Sequence, residues 1–400
     1  MTTPQAGIVA GRPQPQTTTE AAGGPFIRHS IEGRRTQYVS SATAFSGLVA
    51  NPLVAAPGYT RGYRVKIAGA GGSGTNTTTS DNLGNVCSLV QLKDSFGTPL
   101  IVAPGYEAFQ VIQLFGGQFG WHESADVNNL PSTVAMAAGT GGGNFTLSTF
   151  LPLEFAKAYG CISSANASLL PTLQFNLNSS GSFYGTTTPA GTVATMTFTV
   201  DQDFYWLPEG VSVEPPGLGT TCQWVYQPAN PTIGSAATLN VQLPRLGGYL
   251  TTVIAELRDT NGTRCTTNTQ GANSGWGTRT RFLVDGVPIL DTLDTTWLDD
   301  MAMQYGFNAF INSTAAAQGT ALIVQTNYTG IRVVDFKTSL SRQAQGLFDT
   351  GESYLSTNPG TQLEFAGAPW AGVTNGPMTL NAICGQVVPS GALIQGLPEV

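Results

Sequence analysis

The chain has 400 residues, of which 41% are apolar and only 10% charged, and its formal net charge is −7. This balance excludes a basic nucleic-acid binder, because neutralising phosphates requires a positive surface. It also excludes a membrane-spanning helix, since no run of about 18 apolar residues occurs.

At about 150 residues per domain, the length points to two or three domains. Charged residues make up about 25% of an ordinary soluble protein. Here Thr, Ser, Asn, Gln and 49 glycines stand in their place. Such a surface suits an extracellular β protein, or a subunit that mostly faces other subunits, since interface cores are depleted of Lys, Glu and Asp. Cys87, Cys161, Cys222, Cys265 and Cys384 are far apart and form no CxxC pair. That spacing argues against a disulfide framework or a zinc site and for buried free thiols in a reducing compartment. The first residues show no charged segment followed by an apolar one, so a secretory leader is not expected.

Residues 1–40 read as a flexible arm rich in Gln, Thr, Pro and Gly, with no apolar periodicity to offset the entropy of ordering. Within it, Arg28, His29, Arg34 and Arg35 concentrate positive charge. The arm is expected either to be solvated or to order against a neighbouring subunit or an anionic surface.

Residues 41–207 show short strand patterns separated by Gly, Pro, Asn and Ser. Tyr63-Arg-Val-Lys-Ile67 alternates apolar and basic residues, as a half-buried strand does. The glycine run Gly69–Gly74 lacks a following Gly-Lys-Ser/Thr and reads as a loop rather than a phosphate cradle. Further strands are expected at Val86–Leu92, Phe145–Phe155, Thr172–Leu177 and Thr192–Val200. One helix breaks the series. Pro104 opens it, Phe109, Ile112 and Phe115 keep helical spacing, and Gly116-Gly117 ends it.

Residues 208–235 form a proline-rich connector, with prolines at 208, 215, 216, 228 and 231. Prolines at this density do not sit in a helix or a central strand. Residues 236–400 then read like the first half, as a second domain with a C-terminal tail. Strands are expected at Leu239–Leu243, Tyr249–Leu257, Thr280–Val284, Thr320–Tyr328, Ile331–Phe336, Gln362–Phe365 and Met378–Ile383. A single helix starts near Asp294 or Thr295, with Trp297 or Leu298, Met301 and Tyr305 on its buried face and Gly306 at its end.

Six short pieces recur in the same order. Pro57 and Gly62-Tyr63 match Pro244 and Gly248-Tyr249, and Pro99-Leu-Ile101 matches Pro288-Ile-Leu290. Leu153-Glu-Phe155 matches Val334-Asp-Phe336, and Leu173-Gln-Phe175 matches Leu363-Glu-Phe365. Met196-Thr-Phe198 matches Met378-Thr-Leu380, and Leu207-Pro208 matches Val388-Pro389. The common order indicates a repeat. About eight strands per half suit a two-sheet jelly roll, although up-and-down barrels and immunoglobulin-like sandwiches have similar counts.

No catalytic pattern emerges. His122 beside Glu123 lacks a partner at metal-ligand spacing. Asp299 and Asp300, adjacent on a predicted helix, point apart. No GxSxG motif occurs. No enzyme activity, metal or cofactor is expected. Exposed Trp121, Trp276 or Trp370 stacking on sugars would suit an alternative role, a carbohydrate-binding module of a tail, fibre or secreted protein.

The polar arm, the two tandem β domains with one helix each and the proline-rich connector resemble the double jelly-roll major capsid proteins of tailless double-stranded DNA viruses. Phe150-Leu-Pro-Leu-Glu-Phe155 and Ala167-Ser-Leu-Leu-Pro-Thr-Leu-Gln-Phe175 are similar to strands of the tectivirus-like phages with an internal membrane. The resemblance implies an all-β fold of two tandem eight-stranded antiparallel jelly rolls, each with one short helix inserted between strands. It further implies a structural virion protein, made in the host cytoplasm, that forms homotrimeric pseudo-hexagonal capsomers tiling an icosahedral shell. Its partners would be neighbouring capsomers, vertex (penton) and minor capsid proteins, and no specific nucleic-acid sequence. By the same resemblance the arm lies inside the shell, where Arg28, Arg34 and Arg35 would face the headgroups of an internal membrane.

Overall fold

The computed structural model describes most of residues 24–389. Outside the described residues lie 1–23 and 390–400, the stretches 73–80, 117–132, 135–143, 185–194, 229–238, 263–278, 301–330, 337–353 and 368–377, and a few shorter positions.

The first half holds β1 (Ile31–Val39), β2 (Leu48–Ala50), β3 (Tyr59–Ala70), β4 (Cys87–Lys93), β5 (Pro99–Ala103), β6 (Thr133–Val134), β7 (Phe145–Pro152), β8 (Ile162–Ser163), β9 (Thr172–Leu177) and β10 (Thr195–Trp206). The second holds β11 (Thr220–Gln227), β12 (Leu239–Gln242), β13 (Gly248–Arg258), β14 (Arg279–Val284), β15 (Val287–Leu293), β16 (Ile331–Asp335), β17 (Leu355–Thr357), β18 (Leu363–Gly367) and β19 (Thr379–Pro389). Leaving aside the short β6, β8 and β17, each half has eight principal strands among the described residues. They pair as β1-β10-β3-β7 and β2-β9-β4-β5 in the first half, and as β11-β19-β13-β16 and β12-β18-β14-β15 in the second. Counted within its own half, each set reads 1-8-3-6 and 2-7-4-5. That is the double Greek key of a jelly roll, and it occurs twice.

All six sequence correspondences fall on or beside equivalent strands. The Pro99 and Pro288 pieces lie in β5 and β15, and the Leu173 and Leu363 pieces in β9 and β18. The match extends to a β-bulge. Lys93 faces Pro99 and Leu92 faces Ile101, so Leu100 is the extra residue; Leu283 faces Pro288 and Phe282 faces Leu290, so Ile289 is.

The strands form for the reason their alternation predicts. Along β3, Tyr63, Val65 and Ile67 are buried while Lys66 is exposed. Rings from facing strands fill the space between sheets. Phe175 and Phe198 lie 5.6 Å apart across the sheets of the first half. In the second, Phe282 and Phe365, register partners on one sheet, lie 5.1 Å apart and turn the same face to the core. Glycines sit where rings cross a neighbouring strand. A Cβ on Gly385 would lie 2.7 Å from the Trp224 ring, its register partner.

The first helix forms where expected. It begins with an α-type bond from Ala108 N–H to the Pro104 carbonyl, then widens into a π-helix over Glu107–Gly116, with Phe109 and Ile112 buried. The Thr149 hydroxyl donates to the Phe109 carbonyl at 2.6 Å. Of the second helix, Trp297 is described: it is buried, and its Nε1–H donates to the Val333 carbonyl at 2.9 Å. Met301, Tyr305, Gly306 and the strand expected at 320–328 lie outside the described residues.

Two expected boundaries move. Residues 24–39 belong to the first jelly roll: Gly24–His29 is a short helix, α1, and β1 is that jelly roll's first strand. Its polar residues disguise it, because they are satisfied from β10 rather than by solvent. The connector also shrinks to Leu207–Gly219, where Gly210, Gly217 and Gly219 take positive φ. Thr220–Gln227, proline-free and rich in Thr, Trp, Val and Tyr, forms β11.

Candidate functional site

The join between the two halves is the most constructed feature of the molecule. Strand β5 ends the second sheet of the first jelly roll, and β11 begins the first sheet of the second. They pair in parallel, Ile101 with Val102 against Trp224 with Val225, and merge two four-stranded sheets into one. Trp224 and Ile101 are fully buried at this seam.

A buried charge cluster crosses it. Arg258, at the end of β13, reaches Glu256 Oε1 at 2.6 Å, Asp81 Oδ2 at 2.8 Å and Glu107 Oε1 at 3.0 Å. Glu107 starts the π-helix and Asp81 precedes β4, so one guanidinium from the second jelly roll ties two acidic residues of the first. Its charge lies 5.8 Å from the Tyr106 ring centre. Burial opposes the charge on Arg258, but the carboxylates outweigh it and raise its pKa. Burial pushes the Glu107 carboxyl above its ordinary range, against the pull of Arg258. Burial and then the Glu107 and Glu256 carboxylates raise the Tyr226 hydroxyl.

A second cluster fixes the chain entry. Arg61 on β3 pairs with the buried Glu154 at 2.6 Å and with Glu32 of β1 at 2.9 Å, and lies over the Tyr205 ring. Glu154 also accepts from the Tyr205 hydroxyl at 3.0 Å and from the Ala158 N–H. Phe26 of α1 is buried edge-on against Tyr59 and Tyr205. The sequence pattern gave no hint of either cluster beyond one signal: Glu256 and Arg258 interrupt an otherwise apolar strand.

The structure separates the three arm arginines. Arg34 bonds Asp203 through Nε at 2.7 Å, a carboxylate it shares with Arg64. Arg35 donates to Gln202 Oε1 at 2.7 Å and the Pro57 carbonyl at 2.6 Å, and stacks over Phe204. Both therefore hold β1 to its own chain. Arg28 lies exposed in the last turn of α1.

Among the described residues no cluster of His, Cys, Asp and Glu is placed to hold a metal, and no helix is long and apolar enough to cross a membrane. Cys87, Cys161, Cys222 and Cys384 are buried free thiols. His122, Glu123, Cys265, Trp121, Trp276 and Trp370 lie outside the described residues.

No protein-family model and no curated protein sequence matches the chain. Solved structures do. The STIV major capsid protein superposes with a TM-score of 0.56 at 12% identity, over 92% of this chain and all of that one. The fold is that of the double jelly-roll capsid proteins. A chain of the PBCV-1 virus capsid gives 0.56 at 12% identity over 90% and 93% of the two chains, and the Faustovirus major capsid protein gives 0.50 at 9% over 90% of each. These similar structures are structural capsid proteins and not enzymes. The likeness spans both jelly rolls, so it includes the tandem arrangement as well as the single domain.

Proposed function

We propose that the chain is the major structural subunit of a viral shell, and that three copies form a pseudo-hexagonal capsomer. One observation carries the reading: two topologically identical jelly rolls lie side by side in one chain, locked by the β5–β11 seam and the Arg258 cluster. Two like units per chain times three chains give six like corners, and hexagonal blocks tile a facet. A low-charge surface is then contact surface.

In this reading the capsomer meets neighbouring capsomers, vertex proteins and minor capsid proteins in the virion, after synthesis in the host cytoplasm. Residues ahead of β1 face the shell interior. Arg34 and Arg35 serve the fold, and Arg28 is the cation placed to meet anionic lipid, an attraction of about 1 kcal/mol near such a surface. Electron microscopy of the purified protein tests this. Hexagonal particles and sheets support the reading, and single two-lobed particles at every concentration would sink it.

A further inference from the structure

The seam that joins the halves within one chain has a second, unused version. Its donor, β5, is the fifth principal strand of the first jelly roll, and its acceptor, β11, is the first principal strand of the second. The corresponding strands left over are β15 and β1. Among the described residues each is a sheet end: β15 pairs only with β14, and β1 only with β10.

Both edges carry apolar surface that water would not select. Of the ten large hydrophobic residues exposed among the described residues, five lie on these two strands: Ile31 and Val39 on β1, and Val287, Ile289 and Leu293 on β15. Long open edges invite pairing with another chain. Pro288 does not block it, because it stands where Pro99 stands. In β5 the residues that meet β11 are Ile101 and Val102, after the proline and after the bulge the two strands share.

We propose that β15 of one chain pairs in parallel with β1 of a second copy, repeating between chains the β5–β11 seam within the chain. The contact would merge the four-stranded sheet of the second jelly roll with the six-stranded sheet of its neighbour's first. It is head-to-tail, so it closes into a ring only at a fixed copy number. Resting on the capsomer reading, it names the surface that holds three chains together. Seams within and between chains would then alternate around the ring.

Cysteine cross-linking tests the contact in the full chain. Thr36→Cys on β1 is combined with Ile289→Cys or Leu293→Cys on β15, in a Cys265→Ser background; Cys87, Cys161, Cys222 and Cys384 are buried. Mass in solution is measured first, then a short bis-maleimide is added and the product run on a denaturing gel. Covalent dimers and trimers from the paired variants, and none from either single variant, are the expected result. Trimeric mass with no cross-link from either pair would overturn the strand pairing and leave the trimer standing. A monomeric mass would overturn both.

Discussion

Arg258 Nη2 lies 3.0 Å from Glu107 Oε1, and this contact joins the third strand of the second jelly roll to the helix of the first. Glu107 is buried and Arg258 nearly so, and Glu256 and Asp81 complete their surroundings. It makes the two halves one unit rather than two beads on a linker.

Removing one partner of a buried ion pair leaves an uncompensated charge and costs about 3–5 kcal/mol. Arg258→Ala is therefore expected to lower stability by that amount, and to split one unfolding transition into two as the halves lose their tie. Chemical denaturation followed by tryptophan fluorescence and by circular dichroism would show the split as non-coincident curves.

The buried carboxyls set a pH dependence of unusual sign. Burial raises Glu107 and Glu154 above the ordinary 4.5, with Arg258 and Arg61 respectively pulling the other way. The folded state thus binds protons more tightly than the unfolded one. Each residue's contribution is fully present below about 4.5 and is lost as pH rises through the raised value. Glu107→Gln and Glu154→Gln should flatten the fall in melting temperature as pH rises above about 4.5. A slope identical to that of the parent protein would refute the assignment.

Gly385 lies under the Trp224 ring, with Thr251 Oγ1 2.8 Å from where a Cβ would be. Gly385→Ala overfills this space and should cost about 1–3 kcal/mol, read from the urea midpoint.

Strand β1 makes the position of a truncation decisive. Removing residues 1–23 leaves α1, Phe26 and β1 in place. Removing residues 1–39 also deletes β1 and Phe26, exposing Tyr205 and breaking the Arg34–Asp203 pair. Phe26→Ala alone should cost about 3–5 kcal/mol. Equal melting temperatures for the two truncations would contradict the assignment of β1 to the first jelly roll.

Much of this architecture was legible in the sequence, for physical reasons. Tyr63, Val65 and Ile67 repeat every second residue, so β3 was visible. Phe109 and Ile112 keep helical spacing, and the six recurring pieces land on or beside equivalent strands, where Leu173 and Leu363, Phe175 and Phe365, and Met196 and Met378 are buried alike. Strand β1 was hidden because its partners, Asp203 and Gln202, lie about 170 residues away along the chain, so Arg34 and Arg35 read as solvated. Strand β11 was masked by the prolines around it, although Thr220–Gln227 itself holds none. The Arg258 cluster draws on positions 81, 107, 256 and 258, a grouping that only the parallel seam creates.

Light scattering on the purified full chain tests the central claim most directly. A mass of about 125 kDa, three times the 41.8 kDa of one chain, is the expected result. A species of 41.8 kDa that persists at the highest attainable concentration would contradict the account.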